Sequence, residues 1–211
     1  MDVDFRADKI NNDVNVIREA VEDICKIACP EDGVVFDEKN ITGETITEFK
    51  DYHGIRIHLS ARLQSIRHNI SMDFGFGDEV YPSPNIIEYP NLLENMPSAK
   101  INTCPLESVI AEKFQCLIDL AGRNTRMKDY FDIYRILKNH PVSEEKLFEA
   151  IRRTFENRNT VWDSANEVFN DDFVNNPTLN KLWTLFLKKI KWKEDLSFFD
   201  VWSLIRKRLL K

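Results

Sequence analysis

Two aspartates one residue apart open the chain, in Asp2-Val3-Asp4-Phe5. In extended backbone alternate side chains share a face, so Asp2 and Asp4 point one way and Val3 and Phe5 the other. Neighbouring carboxylates repel each other unless a cation lies between them. Mg²⁺, a hard cation that prefers oxygen ligands, is the usual one where phosphate oxygens complete its shell. A third acid of this kind is Asp73, in Ile70-Ser71-Met72-Asp73-Phe74-Gly75-Phe76. Ile70, Met72, Phe74 and Phe76 share one face of that strand. Asn69, Ser71 and Asp73 take the other, so Asp73 projects away from the hydrophobic layer.

Two further charges fall where apolar residues are expected. On a helical wheel of the segment from Pro105, Lys113 lies inside the arc formed by Leu106, Val109, Ile110, Phe114, Leu117 and Ile118, while Glu112 takes an ordinary solvated position. An ammonium on a buried stripe is costly unless it is paired or its long stem carries it to the surface. In the next helical segment Asp129 is surrounded by Tyr130, Ile133, Ile136 and Leu137, with Asp132 on the flank. Lys113 is the obvious donor for Asp129. Competing readings are a snorkelling lysine, an Asp129 that only favours the helix dipole by about 0.3–1 kcal/mol, and an Asp132 that is a surface acid.

The remaining reactive side chains form no motif. His53, His58, His68 and His140 lack a metal or triad pattern. His58 and His68 are placed to face each other across a hairpin, as a polar pair rather than as ligands. Cys25, Cys29, Cys104 and Cys116 lack metal-site spacing and read as reduced thiols, Cys25 and Cys29 half-buried near a helix end. Trp183, Phe186, Trp192, Phe198, Phe199 and Trp202 have the ring faces to stack on bases, but their helical spacing reads as core.

These residues need a scaffold of strands followed by helices. A helix is expected over 12–28, with an Asx cap at its start and Pro30 beyond its end. Short β-branched runs follow at 34–37 and 41–49. Residues 55–63 and 67–76 alternate in strict period two about a turn at Gln64-Ser65. Short extended pieces read at 86–89 and 99–102. From Pro105 the period becomes helical: 105–121 with Gly122 at the position after the helix, then 127–138, 143–157, 160–169, 178–191 and 197–210. Strands first and helices after indicate an α+β core over 1–104 and a helical domain over 105–211.

The chain has 211 residues, 43% of them hydrophobic and 30% charged. Its apolar runs are only a few residues long, which excludes a membrane-spanning helix. No signal segment opens the chain, and a cytoplasmic location is the expectation. Residues 179–211 hold nine Lys/Arg against three acids, a net of +6. The other 178 residues therefore carry −12, since the whole chain sums to −6. A basic tail on an acidic body can hold a polyanion near a carboxylate site. Equally, its lysines can simply solvate the outer faces of apolar helices.

Taken in order, the D-x-D, the Ser71-Met72-Asp73 strand, Pro105-Leu106-Glu107…Ala111-Glu112-Lys113 and Arg126-Met127-Lys128-Asp129-Tyr130-Phe131-Asp132-Ile133-Tyr134 resemble the AbiEii/AbiGii toxin family of nucleotidyltransferases. That family is a branch of the polymerase-β-like superfamily, and the resemblance covers roughly residues 1–138. It implies a small mixed or antiparallel nucleotidyltransferase sheet with helices, followed by a helical bundle. It also implies transfer of a nucleoside monophosphate from an NTP to an RNA end such as a tRNA acceptor stem. Asp2, Asp4 and Asp73 would hold Mg²⁺, and Asp73 would help to deprotonate the acceptor hydroxyl. Lys113 and Lys128 would bind the nucleotide, and Asp129 or Asp132 would orient Lys113 or the base and ribose. A separate antitoxin is the implied partner, in a toxin–antitoxin or phage-defence pair.

The family's first motif starts upstream of the D-x-D with a glycine-rich turn whose N–H groups cradle phosphate. The chain opens at Met1 without that turn, and Gly33, Gly43, Gly54, Gly75, Gly77 and Gly122 do not form it. The expectations are thus an enzyme whose activity needs upstream residues, or a catalytically inactive remnant acting as an interaction or RNA-binding protein. On either, the chain as given is expected to transfer little.

Overall fold

The computed structural model describes residues 2–49, 52–77, 79–91, 98–161, 163 and 166–210. The chain divides into two compact units, Met1–Asp78 and Glu79–Lys211.

The first unit is a five-stranded mixed sheet with one helix against it. Its elements are β1 (Asp2–Ala7), α1 (Val14–Cys25), β2 (Val34–Phe36), β3 (Thr42–Phe49), β4 (Tyr52–Leu63) and β5 (Ile66–Phe76). The path runs β1-β5-β4-β2, with β3 also on β4. The β1–β5 pair is parallel and the others antiparallel. The β4–β5 hairpin turns through Gln64-Ser65, where Gln64 takes a positive φ of 53°. α1 starts where the Asp13 carboxylate accepts from the N–H groups of Asn15 and Val16, satisfying two of the donors a helix start leaves free. Its Ile17, Val21 and Cys25 recur at four-residue spacing and cover Ile55, Ile57 and Leu59 of β4. Gly43 permits this close approach. A Cβ there would sit 2.7 Å from Val14 Cγ1 and 2.9 Å from Ile57 Cδ1. One face of the sheet is thereby buried, and the alternation rule leaves the polar residues on the other.

The second unit contains an antiparallel pair, β6 (Asn85–Glu88) with β7 (Lys100–Thr103), and six helices among the described residues. The helices are α2 (Leu106–Leu120), α3 (Met127–Asn139), α4 (Glu144–Asn157), α5 (Asp171–Val174), α6 (Pro177–Lys189) and α7 (Phe198–Leu209). By compactness the β6–β7 pair goes with these helices rather than with residues 1–78. Side-chain caps fix several starts. Ser143 caps α4, Asn176 caps α6 with Pro177 in its first turn, and Ser197 with Asp200 forms a capping box on α7. Phe114 of α2, Tyr130 and Ile133 of α3, Leu147 and Ile151 of α4 and Phe198 of α7 are fully buried together.

The structure departs from the sequence pattern at two points. The left-handed residue ending α2 is Ala121 (φ 45°), not Gly122. Gly122 instead donates its N–H to Glu167 Oε1 at 2.8 Å, and a Cβ on it would stand 3.0 Å from that same oxygen. The helix expected over 160–169 does not form among the described residues there, which hold a 3₁₀ turn at Glu167–Phe169 followed by the short α5. Asn166 caps that turn and donates to Ile118 O, while the Val168 carbonyl accepts from Trp202 Nε1 at 2.6 Å. Long-range bonds to Ile118 and from Trp202 thus tie this segment down. Of the aromatics expected in the core, Trp183, Phe198 and Trp202 are buried, Phe186 and Trp192 are half-buried, and Phe199 is exposed. No helix among the described residues is long and apolar enough to cross a membrane.

Candidate functional site

The polar face of the first unit's sheet carries the acids of the D-x-D and Asp73. In the β1–β5 register Asp4 lies directly opposite Asp73 and Asp2 opposite Ser71. In-register residues on parallel strands point the same way, about 4.8 Å apart, so Asp4 and Asp73 are neighbours on one face. The Asp2 side chain lies outside the described residues. Across β5, Asp73 is opposite Arg56 of β4, which is in turn opposite Glu44 of β3. One row across the sheet thus reads Asp4, Asp73, Arg56, Glu44. The Arg56 guanidinium grips Asp73 with both arms, Nε to Oδ1 and Nη2 to Oδ2, each at 2.6 Å. Beyond Asp73 on the same face comes Gly75, where a Cβ would meet Phe5 O at 3.9 Å, an ordinary contact. Among the described residues no three His, Cys, Asp or Glu side chains are grouped to hold a metal ion.

The next row departs from expectation. His58 does not face His68. It lies opposite Ser71, and His68 lies opposite Ala61. His58 Nδ1 is 3.1 Å from Ser71 Oγ, and its Nε2 is 3.3 Å from Glu44 Oε1. The reason is register. A two-residue turn at 64–65 pairs Leu63 with Ile66, and counting outward fixes every later pair. That count was available in the sequence and is the signal that would have revealed both Arg56 beside Asp73 and His58 beside Ser71.

In the second unit, α2 and α3 bring Lys113, Asp129 and Asp132 together. Lys113 Nζ lies 3.0 Å from Asp129 Oδ1 and 2.9 Å from Asp132 Oδ2. The Asp129 side chain is only 4% exposed, and its second oxygen has Arg126 Nε at 3.0 Å without the alignment of a hydrogen bond. Burial works against the Lys113 ammonium, but attraction to Asp129 and hydrogen bonds to Asp132 and Asp129 outweigh it and raise its pKa above the ordinary 10.5. The two acids therefore share the lysine rather than compete for one role. Asp129 is the buried anchor, and Asp132 lines a hollow of about 220 Å³ with Val109, Lys113, Arg135, Ile136 and His140. Lys128 is exposed on α3 and does not line it. Arg135 was not singled out by the sequence, since a surface cation at helical spacing carries no distinguishing pattern, and Arg126 and His140 were read there without a role of their own. A larger open hollow of about 740 Å³ over α5 and α7 is lined by Phe199, Trp202 and Arg206 among others, and contains none of the Lys113 cluster.

Both pairs of acids are thus arranged to manage positive charge. Asp4 and Asp73 are register neighbours on the polar face of the sheet, with Asp73 bound by Arg56, and Asp129 and Asp132 fix an ammonium at the edge of a hollow.

Comparison with known proteins gives one family. The family described as "Nucleotidyl transferase AbiEii toxin, Type IV TA system" matches residues 1–204. No curated protein matches the chain. Among solved structures, JHP933 from Helicobacter pylori aligns at 16% identity and a TM-score of 0.45, over 97% of this chain and 71% of that one. A presumed nucleotidyltransferase from H. pylori aligns at 16% identity and a TM-score of 0.39, over 92% of this chain and 81% of that one.

Proposed function

The chain belongs to the AbiEii nucleotidyl transferase toxin family of type IV toxin–antitoxin systems, and from that premise we propose that it transfers a nucleoside monophosphate from an NTP to a hydroxyl of an RNA, such as a tRNA end, with Mg²⁺ as cofactor. The observation that carries this reading is the in-register pair Asp4 and Asp73 on parallel strands, both on the polar face of the sheet. Two adjacent carboxylates supply hard oxygen donors, and that donor set suits Mg²⁺. Asp2, Asp4 and Asp73 would hold it. When bound, the metal would polarise the triphosphate and offset charge on the leaving pyrophosphate.

The chain's own residues do the rest. Arg56, clamped on both oxygens of Asp73, fixes the direction of that carboxylate. Lys113, held by Asp129 and Asp132, presents a preorganised positive charge for phosphate oxygens at the edge of its hollow. Lys128 adds exposed charge nearby on α3. The reaction balances simply. The acceptor oxygen bonds to the α-phosphorus, the bond to the β-phosphate bridging oxygen breaks, pyrophosphate leaves, and the hydroxyl proton passes to a base. NTPs and RNA place this activity in the cytoplasm, and family membership implies an antitoxin as the partner that restrains it.

The test uses protein expressed from its complete reading frame, with Mg²⁺, total RNA and each α-labelled NTP in turn. Label should enter RNA from at least one NTP. Asp4→Asn and Lys113→Met should each lower the rate about 100-fold or more, because positioning and charge stabilisation supply most of such catalysis. Transfer unaffected by Asp4→Asn, or no transfer from any NTP, would overturn the proposal.

A further inference from the structure

The row beside the carboxylates holds a second constellation, Glu44, His58 and Ser71. A cross-strand hydrogen bond would by itself account for His58 and Ser71, which are direct partners in the β4–β5 register. It does not account for Glu44, which pairs with Arg56 in register yet reaches diagonally to His58. Its carboxylate can only accept, which favours the ring tautomer with the proton on His58 Nε2. In that tautomer the Nδ1 lone pair faces Ser71, whose hydroxyl can donate to it across 3.1 Å. That is the order of groups, carboxylate to imidazole to hydroxyl, in which a serine oxygen becomes a nucleophile.

Position gives this arrangement a target. Ser71 and Asp73 are two residues apart on β5 and share a face, so their Cα atoms stand about 7 Å apart. On its other side Ser71 has Asp2 as its in-register neighbour on β1. The serine oxygen therefore lies among the positions proposed to hold the nucleotide's metal. Asp73 carries an Arg56 hydrogen bond on each oxygen and is assigned to the metal, so it is the less free of the two bases for the serine proton. His58 is already bonded to that hydroxyl.

We propose that Ser71 is a self-acceptor, nucleotidylated through the Glu44–His58 relay when no RNA occupies the site. The inference rests on the nucleotidyltransferase reading above. Ser71 Oγ attacks the α-phosphorus of a bound NTP, the bond to the β-phosphate bridging oxygen breaks, and pyrophosphate leaves. The hydroxyl proton passes to His58 Nδ1, and the imidazolium formed is stabilised by Glu44. The product is a serine phosphodiester bearing one nucleoside. It would set a bulky anionic group beside the carboxylates and block the site.

The experiment incubates the complete-reading-frame protein with Mg²⁺ and each NTP without RNA, followed by intact-mass measurement and peptide mapping. The expected result is one added nucleoside monophosphate on the peptide containing Ser71. It should be absent in Ser71→Ala and formed roughly 100-fold more slowly in His58→Gln, the scale of a lost general base. Circular dichroism of both variants should match the parent. Parallel reactions with RNA separate the two readings. Label reaching RNA in those reactions, while Ser71 stays unmodified in the reaction without RNA, overturns this inference and leaves the transferase reading standing. No transfer to RNA or to protein overturns both. An adduct on another residue, or one with the mass of phosphate alone, also refutes it.

Discussion

Removing the Lys113 charge should destabilise the second unit through Asp129 rather than through Lys113 itself. Lys113→Met keeps the length of the side chain but leaves Asp129 (4% exposed) with only Arg126, whose Nε stands 3.0 Å from Oδ2 without hydrogen-bond alignment. Breaking a buried ion pair from one side costs about 3–5 kcal/mol. The remaining Arg126 puts this case at the low end, about 3 kcal/mol. Adding Asp129→Asn removes the stranded charge without changing volume and should restore roughly 1–2 kcal/mol, about the cost of an unpaired buried polar group. Adding Asp132→Asn should restore almost nothing, since that side chain is 29% exposed and can hydrate. The assay is urea unfolding followed by tryptophan fluorescence. Trp162, Trp183, Trp192 and Trp202 all lie beyond residue 78, so the signal reports the second unit. Lys113→Met within about 1 kcal/mol of the parent, against the cost expected of a broken buried pair, would refute the argument. So would equal rescue by Asp129→Asn and Asp132→Asn. The pH dependence has a definite sign. The folded pKa of Lys113 is raised, so its stabilisation is complete below 10.5 and is lost as pH rises through the folded value. Burial also raises the Tyr130 phenol well above its ordinary value, and the Asp129 charge adds to it, so Tyr130 acts in the same direction. The parent should therefore lose stability steeply above about pH 10.5, and Lys113→Met should show a shallower alkaline limb in the same urea titration.

Three smaller predictions follow from packing and burial. Gly43→Val should destabilise the first unit by roughly 1–3 kcal/mol, the usual cost of overpacking, because even its Cβ would meet Val14 and Ile57 inside 3 Å; far-UV circular dichroism during thermal unfolding measures it. Trp202→Phe should cost about 1–3 kcal/mol by leaving the buried Val168 carbonyl without its donor, with chemical denaturation as the readout. Under native conditions at pH 8, iodoacetamide should modify the exposed Cys29 and Cys104. Buried Cys116, its thiol pushed up to about 11 mainly by burial, should react only after unfolding, as mass spectrometry of the labelled peptides would show.

The sequence by itself determined the elements and the faces they present. Strict alternation over 55–63 and 67–76 settled which side of the hairpin is apolar, because a strand's side-chain period is two and one face had to be buried. It therefore also settled that Asp73 faces away from the core. Likewise, a lysine and an aspartate in the apolar arcs of two successive helices announced that each needed a partner, since an unpaired buried charge is not tolerated. Family membership was legible in the same residues.

Tertiary structure decided which groups meet. The parallel docking of β1 on β5 sets Asp4 against Asp73 across a sequence gap that no local pattern spans. Hairpin register brought Arg56 to Asp73 and His58 to Ser71, and displaced the His58–His68 pair that alternation alone suggested. Packing of α2 on α3 gave Lys113 both acids, the buried Asp129 and the more exposed Asp132. Among the described residues between Thr160 and Phe169 the expected helix gave way to a 3₁₀ turn tied down by long-range bonds from Asn166 and Trp202. The physical reason is common to all four. Local preference is set by backbone and side-chain sterics within a few residues, whereas charge pairing and hydrogen-bond satisfaction are settled by whichever groups the folded chain brings within about 3 Å.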